Sequence, residues 1–209
     1  MLPNALTLAI FDKQALELLR AKRLEQMKKA QESRQKFLQQ GHGAYTELYP
    51  SQNTRDVAKD FFEATKKSQR LVVHFYRSSS SALCDIFHKH LTILAEKHVE
   101  TKFVKLNVEG CDSEQGGGAS FLVEKLGIVV MPTLVLIRNR QAIHHIRGFD
   151  ELGMTENFST EALEYVLGSH GILDTDENQE PPRELIEGPK GVNCIHLRTR
   201  KQRTYNDDY

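Results

Sequence analysis

What this 209-residue chain lacks narrows it first. Its three cysteines, Cys84, Cys111 and Cys194, are odd in number, widely spaced and form no CxxC pair. That excludes a disulfide framework and suits a reducing compartment. A net charge is missing too: 28 Lys and Arg offset 28 Asp and Glu, so overall charge argues neither for nor against nucleic acid. Long apolar runs are absent. The opening stretch MLPNALTLAIFDKQ has a short apolar run, no basic n-region and no small-residue cleavage site. Neither a signal peptide nor a membrane-spanning helix is expected, and the chain reads as soluble and intracellular. No internal repeat is present. A mean hydropathy of -0.48 with 39% apolar residues is low for a chain packed throughout, so one packed domain with polar, extended ends is expected.

Charge is distributed unevenly along the chain. After an N-terminal extension (1–11), residues 12–40 contain no Gly or Pro and carry eight basic and four acidic side chains. Their composition predicts a helix, with Gly41 as its stop. Leu16, Leu19, Leu24, Met27, Ala30, Phe37 and Leu38 form a stripe at helical spacing, but Arg23 and Arg34 interrupt it. So weakly amphipathic a helix folds poorly alone and is expected to rest on the domain or on a partner. The turn-rich GHGAYTELYPSQN (41–53) reads as a connector.

The globular part is placed at 54–171. A helix near 54–67 precedes LVVHFY (71–76), a short apolar run read as a central strand. Then follow a helix over 82–97, a strand at 102–108, a short helix at 120–127 and a strand at 133–139. An antiparallel partner at 142–149 and a helix at 159–171, capped by Ser159 or Thr160, complete it. Strands alternating with helices, then a closing hairpin, predict an α/β fold: a mixed sheet covered on both faces. Residues 110–118, GCDSEQGGG, read as an insertion, and the Pro-, Gly- and charge-rich tail 172–209 as disordered.

Two features resemble the thioredoxin fold over roughly 55–170. Met131-Pro132-Thr133-Leu134 matches the pattern in which a cis proline faces the active-site turn, and Gly148 falls where a glycine follows the last strand. Over nearly the whole chain, AKRLEQMKKAQESRQKFLQQGHGAYTEL, HFYR, HLTILAEKHVETKFVKLNVE, MPTL and GFDELGMTENFSTEALEYVLGS resemble the phosducin-like group. The resemblance implies a thioredoxin-like co-chaperone that binds the cytosolic chaperonin CCT and modulates folding of actin- or tubulin-type clients. It also implies residence in the cytoplasm, extending to the nucleus or centrosome.

The turn SSSSALC places Ser81 where a dithiol protein has its attacking cysteine and leaves Cys84 at the resolving position. Exchange needs a thiolate, then a second thiol to release the mixed disulfide. An alcohol cannot take the first role, so the turn reads as a vestigial site and the chain as non-enzymatic, with no cofactor. Cys84 reads as a small buried residue and His74 as a core histidine standing where thioredoxins bury an acid. Two alternatives remain open: a monothiol redox protein acting through Cys84 or Cys111 with glutathione or thioredoxin, and a scaffold for G-protein βγ subunits.

The remaining constellations are weaker. Cys84 and His88 lie four apart on a helix with His144-His145 on a strand, but alternation lets at most one of the latter join, so no metal site is expected. EQGGGAS lacks the Lys-Ser/Thr of a phosphate loop. In the basic helix, Arg20, Arg23, Lys28, Lys29 and Arg34 are the candidate partner contacts, through charge complementarity. Glu17, Glu25 and Glu32 dilute the field, so neither nucleic acid nor membrane is expected.

Overall fold

The run read as a central strand lies in the middle of a five-stranded sheet. In a computed structural model, residues 5–48, 57–109, 118–175 and 179–186 are described, with no side-chain account for 5–12, 80, 81 and 118. The expected insertion at 110–118 lies almost entirely outside these residues, as do 187–209 of the tail. The chain divides into two units, Met1–Gln39 and Gln40–Tyr209.

The first unit is a single helix, α1 (Ala5–Gln39). It begins seven residues before the predicted start at 12, so part of the expected extension is helical. Nothing between Ala5 and Asp12 is a helix breaker, which gives the backbone no reason to stop. Leu16, Leu19, Leu24, Met27 and Leu38 are exposed along it.

The second unit contains β1 (Tyr45–Glu47), α2 (Val57–Lys67), β2 (Arg70–Tyr76), α3 (Ser81–Lys97) and β3 (Lys102–Asn107). It continues with α4 (Gly118–Lys125), β4 (Thr133–Arg138), β5 (Gln141–Arg147), α5 (Thr160–Ser169) and α6 (Arg183–Ile186). Sheet order is β1-β3-β2-β4-β5. β3 runs parallel to β1 and β2, whereas β4 is antiparallel to both β2 and β5. This is the thioredoxin-like mixed sheet. Asn139 and Arg140, at φ 51 and 69°, make the tight turn of the closing hairpin.

Period-two alternation divides the core. Leu71, Val73 and Phe75 of β2 pack with Phe61 of α2 and Leu122 of α4. Val72 packs on the other face with Phe87 and Leu91 of α3 and Leu163 of α5. Each fully buried apolar side chain contributes roughly 1.5–3 kcal/mol.

Two differences from the sequence reading stand out. The connector contains a strand, β1, paired Tyr45↔Phe103 and Glu47↔Lys105. The first part of the tail is ordered: Ile172, Leu173 and Leu185 of α6 are buried in the α3/α5 side of the core. Thr101 Oγ1 donates to Ile172 O at 2.6 Å, which fastens this return. Gly168 lies near the end of α5, as expected, and a Cβ there would approach Thr175 Oγ1 to 2.5 Å. At the N-terminal end of α5, Ser159 is the cap, its side chain accepting from Ala162 N at 3.1 Å.

Candidate functional site

The chain leaves β2 at Tyr76, makes a 3₁₀ turn over Ser78–Ser80 and enters α3 at Ser81. Two residues from the end of β3 hold that turn. Asn107 Nδ2 donates to Ser78 Oγ at 2.7 Å, and the Glu109 carboxylate accepts from Ser79 N at 3.0 Å and from Ser79 Oγ. Ser81 opens α3; its side chain is outside the described atoms. Cys84, one turn later, is 1% exposed. Burial pushes its thiol pKa up, a backbone hydrogen bond at Arg77 opposes this, and Asp85 and Glu109 push it further up. A reactive cysteine needs the reverse, a thiolate stabilised by positive surroundings.

β4 delivers the proline. Thr133 pairs with Phe75, so Pro132 lies at the same end of the sheet as the turn. The Met131–Pro132 peptide is cis, and Pro132 O accepts from Gly148 N at 2.8 Å.

Beneath the turn lies a polar trio that the sequence did not reveal. Tyr45 Oη of β1 is 2.6 Å from Nδ1 of His74 on β2 and 2.9 Å from Nδ1 of His88 on α3. A phenol has one proton, so it donates to one ring and accepts from the other. His74 is fully buried and its Nε2 has no hydrogen-bond partner. An orphaned buried acceptor is tolerated better than an orphaned N–H. The favoured arrangement therefore has His74 Nδ1–H donating to Tyr45, Tyr45 donating to His88, and a bare lone pair on His74 Nε2. Burial first, then His88 and Lys105, drive the His74 pKa well below its ordinary value. His88 is lowered too, chiefly by burial. Burial raises the Tyr45 pKa, helped by Tyr76 and Glu47. The trio is therefore neutral and holds no carboxylate.

At its outer edge, Tyr76 donates to Glu47, with both carboxylate oxygens at 3.1 Å. Lys105 Nζ is 3.6 Å from Glu47 and stands over the Tyr45 and Tyr76 rings at 5.8 and 5.7 Å. Tyr45 and Glu47 were missed because both were assigned to a connector. Their alternate placement in YTE was the only available signal.

The grouping of Cys84, His88 and His144 is not brought together. His88 joins Tyr45, while His144 is on β5, at the opposite edge of the sheet from β1. There His144 Nε2 and His170 Nε2 both meet the Glu151 carboxylate, at 2.5 and 3.0 Å. Burial would raise the Glu151 pKa, but hydrogen bonds from the two histidines prevail and hold it at about 2. Cys111 lies outside the described residues, as does the glycine-rich loop up to residue 117; Gly118, Ala119 and Ser120 open α4.

The five candidate contacts, Arg20, Arg23, Lys28, Lys29 and Arg34, are exposed on α1. At 3.6 residues per turn, Arg20, Arg23 and Arg34 fall within about 60° of arc and Lys29 on the far side. Lys29 pairs with Glu25 at 2.7 Å. Met27 falls inside the arginine sector and Leu24 beside it, so that face mixes apolar and basic groups.

No protein-family model matches the chain. It is 45% identical over 199 residues to thioredoxin domain-containing protein 9 of Homo sapiens, covering 94% of this chain and 81% of that protein. The chain belongs to the thioredoxin domain-containing protein 9 family. Phosducin-like protein 3 of Drosophila melanogaster is 40% identical over 178 residues, with 85% of this chain and 75% of that protein covered. Among solved structures, thioredoxin NaTrxh from Nicotiana alata aligns over 61% of this chain and 93% of its own, at a TM-score of 0.44 and 17% identity. No helix among the described residues is long and apolar enough to cross a membrane.

Proposed function

We propose that the chain is a non-catalytic, thioredoxin-like co-chaperone that binds the cytosolic chaperonin CCT and modulates folding of actin- or tubulin-type clients. The reading rests on family membership together with one observation: Cys84, one turn into α3, is buried with its thiol pKa raised, which disfavours the thiolate that exchange needs. A scaffold so arranged acts by contact. The exposed apolar and arginine face of α1 supplies a surface for an acidic, partly apolar partner, and its charges set encounter rate and register.

The test is pull-down and binding of the full chain to purified CCT, beside a variant with Arg20, Arg23 and Arg34 changed to Glu. These positions are exposed, so the helix survives the change. Loss of at least tenfold in affinity is expected. Equal affinity of the two forms removes the role of the arm, and absence of CCT binding by the unaltered chain removes the function. The redox alternative is checked by insulin reduction: turnover that disappears in Cys84→Ser or Cys111→Ser would establish it instead.

A further inference from the structure

We propose that His144, Glu151 and His170 form a binding site for a divalent first-row transition cation of the zinc class. The three come from separate elements: His144 from β5, Glu151 from the loop that follows, and His170 from the C-terminal cap of α5. Their ligand atoms lie within 4.8 Å of one another. Two imidazole nitrogens and one carboxylate oxygen are a donor set that zinc and its neighbours favour over calcium or magnesium. Three protein ligands leave a coordination position for water or for a side chain of a bound partner.

The surroundings permit a cation. All three side chains are half-buried, with 22–34% of each accessible, so the donors are shielded but reachable. A surface concavity of about 410 Å³ opens onto His144 and Glu151. Asp150 on its wall adds negative charge and Arg147 opposes it. His145 lines the same concavity, and its Nε2 is buried without a hydrogen-bond partner.

Without metal the cluster closes on itself. Glu151 bridges the two Nε2 atoms through hydrogen bonds, and the imidazoles stack 3.8 Å apart at 18°. Parallel rings cannot both aim an in-plane lone pair at one ion. Binding therefore puts the cation in place of the bridging protons, each of which moves to Nδ1 of its ring or, from a charged ring, to solvent, and splays the rings, which couples the positions of β5 and the end of α5. The hydrogen-bonded clamp and the metal site are two states of the same residues, and the experiment must distinguish them.

Full-length protein carrying Cys111→Ser and Cys194→Ser, to remove competing thiols, is titrated with Zn²⁺ by calorimetry and with Co²⁺ by visible absorption. One equivalent is expected to bind with micromolar Kd. The Co²⁺ spectrum should show d–d bands without thiolate charge transfer. In the same background, His144→Asn, His170→Asn and Glu151→Gln should each weaken binding at least tenfold. Thermal melts in EDTA and in Zn²⁺ supply the second readout: the metal should raise the melting temperature of the parent and leave the variants unmoved. Absence of binding below millimolar Zn²⁺, or affinity unchanged in all three variants, overturns the site. So do variants that melt lower in EDTA yet gain the same shift with metal, which would leave the clamp as a structural contact alone.

Discussion

His74 makes acid stability a direct test of the buried trio. Its folded-state pKa is driven well below the ordinary 6.5 by burial, His88 and Lys105. Above pH 6.5 the ring is neutral in both folded and unfolded chains, so it contributes no pH dependence. As pH falls below 6.5, the unfolded chain takes up a proton that the folded chain refuses, and stability falls. For one such histidine the loss between pH 7.5 and 5.5 is about 1.4 kcal/mol, given an unfolded pKa of 6.5. The perturbation is His74→Leu, which retains apolar volume and leaves Tyr45 bonded to His88. Urea unfolding of both proteins at the two pH values, followed by far-UV circular dichroism because the chain has no tryptophan, gives four free energies. His42, His90 and His145, also lowered chiefly by burial, lose stability in acid equally in both proteins. His88, lowered too but coupled to His74, is removed from the comparison by measuring the same pair in a His88→Asn background. His98 has a raised pKa: burial lowers it, but Glu100 and Glu164 outweigh that, so its contribution is present at low pH and lost as pH rises. Both effects cancel in the double difference. Wild type should lose about 1.4 kcal/mol more than His74→Leu on acidification. Equal losses would show that His74 is protonated in the folded chain and would refute the neutral trio.

Two further predictions follow from burial. Cys84 should react with iodoacetamide at pH 7.5 at least tenfold more slowly in the folded chain than in urea, since its thiol is covered and its pKa raised; equal rates would contradict a sealed thiol. Leu185→Ala should cost roughly 2–4 kcal/mol by chemical denaturation, because Leu185 is 1% exposed against the α3/α5 core; an unchanged midpoint would mean that the return of the chain through α6 contributes nothing to the fold.

The elements that sequence reasoning found are those whose side chains repeat with a fixed period over enough residues. β2 and β4 are apolar because the sheet covers both their faces, and α3 and α5 carry their stripe over several turns. β1 spans three residues with half-buried, exposed, half-buried positions, too short for alternation to register. α6 is four residues anchored by one leucine, and nothing local distinguishes that leucine from one in a solvated tail. The site divides the same way. The turn before α3 and the cis Met131–Pro132 peptide are local features that short motifs signal. Tyr45 with His74 and His88, and His144 with Glu151 and His170, are assembled by topology from positions far apart in sequence. Strand alternation says nothing of a glutamate seven residues on or a helix cap further still.

The one-proton bridge at Tyr45 has a bearing on how this family can change over time. A single hydroxyl serving two imidazoles admits only two proton patterns, and losing Tyr45 takes the shared partner from both rings at once. A lone substitution at position 45 leaves the buried His74 ring with no hydrogen bond, whereas a joint replacement of the trio by hydrocarbon leaves no polar atom behind. Descent should therefore let position 45 change only in company with 74 and 88.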